Sequence, residues 1–207
     1  MSYIIAGLGN PGAEYENTRH NAGRIILDAI RKEYSGGEFV PNKKLNALTA
    51  EAKVAGEKVL FVAPENFMNN SGKSLASIVK TKKNAKLKLT TADDFLVIYD
   101  DFQLPIGRMK ISYNKSSGGH NGLESVIKSV KTEAFPRLRI GTAPEKKNGD
   151  AKIPRGDEMI EKFILGKFKD DEVKELKKMA KKAIEVVGLW VREGRERATN
   201  LANTEQF

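Results

Sequence analysis

Apolar residues along this chain follow two patterns. Short continuous runs at 3–7, 59–62 and 95–99 have the length of buried strands. Longer stretches at about 22–34 and 170–192 repeat apolar residues every three or four positions, which predicts amphipathic helices. Strands that alternate with helices are typical of an α/β fold, in which helices cover a central sheet.

Alternation and turn residues predict the other elements. Residues 48–55 alternate between apolar and polar side chains, and Gly56 separates them from the run at 59–62. This arrangement predicts a hairpin that ends at Pro64. The remaining expected elements are short helices at 75–79 and 123–130 and short strands at 108–113 and 137–141.

Three polar features are expected to lie outside the packed core. The lysine-rich segment 80–88 is interpreted as a solvated connection, and the segment 144–157 as a mobile loop, since neither has an apolar period. Lys178 and Lys182 are assigned to the solvated face of the last long helix. Contact with an anionic partner is the alternative interpretation of segment 80–88.

Composition narrows the class of protein. At 207 residues, the chain is expected to form one domain, 1–207. It has no cysteine, which excludes disulfides, thiolate metal sites and a cysteine nucleophile. The chain enters a strand directly, and its apolar runs are far shorter than the ~18 residues of a membrane span. We therefore expect a cytoplasmic protein without membrane association.

The charge balance is basic, with 36 Lys and Arg against 27 Asp and Glu and a net charge of +9. Such an excess favours a polyanionic partner such as a nucleic acid. It is equally compatible with a lysine-rich surface that serves solubility. Charge alone does not decide between the two interpretations.

The first strand runs into a polar loop that begins with glycines. Gly7, Gly9 and Gly12 match the G-x-G-x-x-G pattern of dinucleotide-binding folds. That pattern requires a helix to begin near the second glycine, so that its amino end meets a pyrophosphate. Here Pro11 and polar residues intervene, and helical spacing begins only near Asn21. We reject a dinucleotide site and interpret the loop as part of an active site at a strand end.

Both histidines of the chain precede asparagine in glycine-flanked loops, at His20 and His120. A histidine can activate water near neutral pH, and a nearby carboxylate orients the ring and stabilises its protonated form. Asp100 follows the most apolar strand and is the best candidate for this carboxylate, although a loop cap is the ordinary role of such a residue.

Other hydrolytic chemistries lack their motifs. The sequence contains no G-x-S-x-G serine loop and no H-E-x-x-H metal motif. Two histidines and scattered acids do not form a convincing zinc site. The remaining route to hydrolysis is attack by a water that histidine activates, with asparagine amides as donors to the oxyanion.

Five segments, in this order, closely resemble motifs of the bacterial-type peptidyl-tRNA hydrolase family. They are G-L-G-N-P-G-x-x-Y-x-x-T-R-H-N-A-G at 7–23, F-M-N-x-S-G at 67–72, Asp100 with L-P-x-G at 104–107, G-G-H-N-G at 118–122 and R-L-R-I-G at 137–141. The resemblance implies a single α/β domain with a mixed, mostly parallel central sheet flanked by helices. It also implies a monomeric esterase that needs no metal or other cofactor and that releases the peptide from peptidyl-tRNA in the cytoplasm.

The resemblance assigns roles by position. His20 would be the base that activates water, Asp100 its partner, and Asn10 the residue that positions the substrate and stabilises the oxyanion. Asn69 and Asn121 would hold the peptide backbone and the water. The other residues implied in substrate or tRNA binding are Tyr15, Asn21, Phe67, Met68 beside the terminal nucleoside, His120, Arg139 and Lys110.

The expected partner is peptidyl-tRNA, bound through its acceptor stem, 3′ end and 5′ phosphate. The family's clamp on the 5′ phosphate maps to Arg139 and to position 112, where this chain has Ser in place of the usual basic residue. Lys110 on the same face of the predicted strand, or Lys115 in the next loop, would replace it. Gln103 also replaces an acid that is common in the family.

The alternative is that the protein is a noncatalytic RNA-binding relative of the same fold. RNA binding alone has no need for a base and an orienting acid. The joint presence of His20 and Asp100 with three asparagines, Asn10, Asn69 and Asn121, therefore argues for the hydrolase.

Overall fold

A single mixed sheet organises the computed structural model, which describes residues 2–79 and 92–204. Its strands are β1 (Ser2–Gly7), β2 (Val40–Asn42), β3 (Ala47–Val54), β4 (Glu57–Pro64), β5 (Phe95–Pro105), β6 (Met109–Tyr113) and β7 (Pro136–Ala143). The strand order is β2-β3-β4-β1-β5-β7-β6. The central strands β4, β1, β5 and β7 are parallel, and the pairs at both edges are antiparallel. The predicted mixed sheet with a mostly parallel core is confirmed.

Helices cover both faces of the sheet. They are α1 (Ala22–Glu33), α2 (Ser71–Val79), α3 (Asn121–Val130), α4 (Asp157–Ile164), α5 (Asp170–Glu193) and α6 (Arg195–Thr204). Because side chains alternate along a strand, neighbouring residues of β1 serve opposite layers. Ile5 packs with α1, α5 and α6, whereas Ile4 and Ala6 pack with α2 and α3. The result is a three-layer α/β domain, as the sequence predicts.

The long elements agree with the prediction. The hairpin forms from β3 and β4, and the two long helices are α1 and α5. The predicted short helices are the later parts of α2 and α3, which begin earlier. None of the described helices is long and apolar enough to cross a membrane.

Several expected boundaries were wrong. β5 does not end at 99 but continues to Pro105, because its pairing with β7 resumes after an irregular register beyond Asp101. The segment 144–157 contains a β-bridge between Glu145 and Ala151, and α4 begins at its last residue. The lysine-rich segment 80–88 lies outside the described residues.

The last helices differ from expectation as well. α6 was not predicted, because Ala198 and Ala202 are its buried residues and two alanines give a weak apolar signal. Lys182 was wrongly placed on the solvated face of α5. It is 9% exposed, and its Nζ lies 3.0 Å from Glu185. Lys178 is exposed, as expected.

Candidate active site

The carboxyl ends of β1, β4 and β5 meet at one edge of the sheet, because these strands are parallel neighbours. The loop after β1 carries Asn10 and His20, and the loop after β4 carries Met68 and Asn69. Asp100 lies on β5 just beyond the last residue that pairs with β1. Three segments that are far apart in the sequence therefore contribute to one site.

Close backbone packing holds the start of α1, and with it His20, over these strand ends. A Cβ atom on Gly7 would clash with the carbonyl oxygen of Gly23, and one on Gly23 would clash with that of Ile98. The N–H of Arg24 donates to the carbonyl of Leu8 at 3.1 Å. Glycine is needed at both positions because any side chain would push the helix away from the sheet.

Asp100 connects the two histidines. Its side chain is buried, and Nδ1 of His20 lies 3.0 Å from both carboxylate oxygens. Nε2 of His120 lies 2.9 Å from Oδ1 of the same carboxylate. No pattern in the sequence predicts that His120 shares Asp100 with His20.

The hydrogen bonds define which nitrogen carries the proton in each neutral ring. The backbone N–H of Leu123 donates to Nδ1 of His120 at 3.1 Å, so the proton of His120 is on Nε2, where it is donated to Asp100. Nδ1 of His20 also donates to the carboxylate of Asp100. Nε2 of His20 is then unprotonated and available as a base on the cavity side.

The charges favour this assignment. Burial lowers the pKa of His20, but the negative charge and hydrogen bond of Asp100 outweigh burial, so that the pKa is raised above its ordinary value. Burial raises the pKa of Asp100, but the charges of His20 and His120 and their hydrogen bonds more than offset it. The pKa of Asp100 is therefore held well below its usual range. Asp100 remains a carboxylate while His20 exchanges its proton near neutral pH.

Asn10 is fixed by hydrogen bonds on three of its polar atoms. Its backbone N–H donates to Oδ1 of Asn21 at 2.8 Å, and its carbonyl accepts from Nδ2 of Asn21 at 3.0 Å. Its side-chain Oδ1 accepts from the N–H of Met68 at 2.8 Å. The side-chain amide nitrogen has no acceptor among the described residues, and Asn10 lines the same cavity as His20. This N–H can donate to an oxyanion.

A cavity of about 800 Å³ lies over this cluster. The residues predicted for the site that line it are Asn10, Tyr15, His20, Phe67, Met68, Asn69, Asp100, His120 and Asn121. Asn21, also predicted for the site, does not line this cavity. Its side chain hydrogen-bonds to the backbone of Asn10 and so positions that residue. The cavity is large enough for a small ligand or for one end of a larger one.

Arg139 lies in a neighbouring cavity of about 210 Å³, which also includes Asp100, His120, Ser112 and Lys115. Its Nε donates to the Asp101 carboxylate at 2.6 Å.

Lys110 on β6 lies directly opposite Arg139 on β7, so both side chains are on one face of the sheet. Lys110 is exposed and does not line the 210 Å³ cavity. Arg137, two residues before Arg139 on the same strand, is fully buried and donates to the carbonyls of Ser116 and Glu133.

Two parts of the site were not predicted from the sequence. Ile160, Ile164 and Leu165, from α4 and the residue after it, line the large cavity. Arg19 is buried beside His20, and its guanidinium donates to the carbonyls of Gly166 and of the next residue at 3.2 and 3.1 Å. No local pattern could reveal this contact, because its partners are distant in the sequence.

Arg19 also pairs with Glu172 at the start of α5, at 2.6 Å. Its guanidinium lies 4.5 Å from the centre of the Phe163 ring on α4. The segment that carries His20 is therefore tied to the end of α4 and to α5.

His20, Asp100 and His120 are also of the right types to bind a metal, since their ligand atoms all lie within 4.8 Å of one another. A histidine that binds a metal through one nitrogen carries its proton on the other and donates it. A metal on Nε2 of His120 would place that proton against the N–H of Leu123, which is itself a donor. The hydrogen bonds are therefore those of protonated ring nitrogens that donate to Asp100, and they do not suit a metal ligand at His120.

Comparison with known proteins gives a consistent result. The family model described as peptidyl-tRNA hydrolase matches residues 4–207. A peptidyl-tRNA hydrolase from Desulfitobacterium hafniense is 38% identical over 97% of this chain and 98% of its own length. One from Lachnospira eligens is 37% identical over 97% of this chain and 99% of its own. The crystal structure of peptidyl-tRNA hydrolase from Acinetobacter baumannii matches with a TM-score of 0.85 at 26% identity, over 99% of this chain and 95% of that one.

Proposed function

The chain belongs to the peptidyl-tRNA hydrolase family and hydrolyses the ester bond of peptidyl-tRNA, and we propose that it does so with a water activated by His20, without a metal ion. The orientation of His20 is the observation that supports this mechanism. Its Nδ1 is bound to the buried carboxylate of Asp100, and its Nε2 is left for a water in the large cavity.

The reaction balances with these groups. The water gives a proton to Nε2 of His20 while its oxygen attacks the ester carbonyl, and the carboxylate of Asp100 stabilises the imidazolium that forms. The amide N–H of Asn10 donates to the oxyanion. The intermediate then expels the ribose hydroxyl, which recovers the proton from His20. The products are the peptide with a free carboxyl group and the tRNA.

The surrounding asparagines and Met68 are proposed to hold the reacting end of the substrate. Asn69 and Asn121 line the cavity and offer both donors and acceptors to a peptide backbone. Met68 is buried against α3, where a Cβ atom on Gly122 would overlap its sulfur. Its position supports an apolar wall for the terminal nucleoside.

Removal of metal ions is expected to leave activity intact. Hydrolysis of an N-acetylated aminoacyl-tRNA should proceed at the same rate before and after dialysis against EDTA, because the mechanism uses protons alone at His20, Asp100 and His120. The assay measures release of the blocked amino acid. A loss of activity that zinc restores would contradict the mechanism.

The pH profile is expected to depend on Asp100. His20 must be neutral to act as a base, so kcat/KM should fall as pH decreases through its raised pKa, above the ordinary value of about 6.5. Asp100→Asn removes the charge that raises this pKa and leaves the burial that lowers it. The acid limb should therefore move to lower pH, with a plateau rate between those of wild type and His20→Ala. An acid limb that does not move would exclude His20 as the titrating base.

We infer that the 5′ phosphate of tRNA binds at the basic face next to the active site. Arg139 and Lys110 lie directly opposite each other on neighbouring strands, which brings two cationic side chains close enough to contact one phosphate. Lys115 lines the cavity that contains Arg139. The carboxylate of Asp101 orients Arg139 from the other side.

Loss of these cations is expected to weaken substrate binding without slowing the chemical step. Arg139→Ala and Lys110→Ala should each raise KM with little change in kcat, and should flatten the salt dependence of KM by about one phosphate contact. KM is measured across a salt series for tRNA with and without its 5′ phosphate. If Lys110→Ala responds to phosphate removal as wild type does, Lys110 does not contact the phosphate and the same test applied to Lys115→Ala decides its role.

We also infer that the whole chain, 1–207, is one functional unit that acts as a monomer in the cytoplasm. Each group used in the proposed mechanism comes from one copy of the chain. Peptidyl-tRNA is a product of translating ribosomes, which places the substrate in the cytoplasm.

A further inference from the structure

The large cavity has an apolar side that the hydrolytic mechanism does not use. Ile160, Ile164 and Leu165 line it on one side, and Phe67 also contributes to the lining. Phe67 is 60% exposed and Leu165 is 36% exposed. No residue of α4 is buried, so the core does not account for the apolar face of this helix.

The charges next to this apolar side indicate which part of the substrate it contacts. Asp157 and Glu161 of α4 also line the cavity, and both are exposed. Their carboxylates repel the phosphates of RNA. Arg139 and Lys115 lie together in the neighbouring cavity instead. The RNA end is thus favoured on the side of these cations, and the uncharged peptide on the side of α4.

We propose that Ile160, Ile164, Leu165 and Phe67 form a subsite for the side chain of the amino acid esterified to the tRNA, with a preference for large apolar side chains. This subsite rests on the proposed function, since it shares its cavity with His20. It gives the enzyme a means of distinguishing substrates by their peptide.

Arg19 holds the α4 side of this subsite at a fixed distance from the base. It donates to carbonyls at the carboxyl end of α4, including that of Gly166 at 3.2 Å, and it directly precedes His20 in the chain. Glu172 anchors the same guanidinium to α5. A side chain bound against α4 would therefore place its ester at a defined position relative to His20.

The test compares two substrates on the same tRNA body, one carrying N-acetyl-phenylalanine and the other N-acetyl-glycine. The wild-type KM should be at least about tenfold lower for the phenylalanine substrate, the discrimination expected of an apolar pocket. Ile160→Ala should bring the ratio of the two KM values close to one, and Ile164→Ala should reduce it as well. Met159→Ala is the matched control, because Met159 is 57% exposed on the same helix and does not line the cavity. It should retain the wild-type ratio.

Neither alanine substitution at the subsite removes a buried side chain, so both variants are expected to fold. Equal KM values of the wild type for the two substrates would overturn the subsite alone. The subsite would also be overturned if Ile160→Ala raised KM equally for both substrates and weakened inhibition by deacylated tRNA. That result would show that α4 binds RNA. Failure to hydrolyse either substrate would overturn the proposed function and the subsite with it.

Discussion

Replacement of His20 by alanine is expected to lower kcat about 10²- to 10⁴-fold, the range for loss of a positioned general base. The variant retains Asp100 and Asn10 but has no group to accept the proton of the attacking water. Turnover of N-acetyl-aminoacyl-tRNA measures the effect, and thermal unfolding shows whether the fold is intact.

His120→Ala is the matched comparison, because His120 contacts the same carboxylate. In His120, Nε2 donates to Asp100 and Nδ1 accepts from the N–H of Leu123, so neither nitrogen is available to a water. The loss in kcat should therefore be much smaller than for His20→Ala. An equal or larger loss in His120→Ala would show that the base has been assigned to the wrong histidine.

Asn10→Asp is expected to lower kcat about 10²- to 10³-fold, the effect of removing one donor to the oxyanion. A carboxylate at this position can still accept from the N–H of Met68, so the local structure is preserved. It cannot donate to the oxyanion, and its charge opposes the charge that develops there. The rate is compared on the alkaline plateau, where a change in the pKa of His20 has no effect.

Asn17→Asp provides the control for the added charge. Asn17 is exposed in the same loop and does not line the cavity, so this variant should retain the wild-type kcat. A small effect of Asn10→Asp would instead mean that Asn10 acts through its contact with Met68, as a positioning residue, and that the oxyanion has another donor.

The sequence predicts the parts of the site that follow strand ends. Apolar runs locate β1, β4 and β5, and the polar residues just after them, such as Asn10 and Asn69, therefore lie at the same edge of the sheet. The pairing of a histidine base with Asp100 was inferred from the residue types, whereas the choice of His20 and the roles of the individual asparagines were inferred from family motifs. The position of Asp100 beside His20 depends on β1 and β5 being neighbours, which follows from the fold and not from any local pattern.

Other features depend on contacts that no local pattern encodes. The bond between His120 and Asp100 requires α3 to pack over the end of β5, and the pair of Arg19 and Glu172 joins distant segments. α4 escapes prediction for a different reason. It has only eight residues, too few to repeat its apolar spacing as the long helices do, and none of them is buried, since Ile160 and Ile164 line a cavity instead of the core.

The protonation state of His20 decides whether this residue can act as the base. The chain has two histidines, so nitrogen-15 NMR of the imidazole rings gives one set of signals for each. We expect neutral His20 to carry its proton on Nδ1 and to have an unprotonated Nε2, and we expect it to titrate above the ordinary pKa of about 6.5, together with the acid limb of kcat/KM. A neutral His20 with its proton on Nε2, or a titration separate from the kinetic one, would contradict His20 as the base.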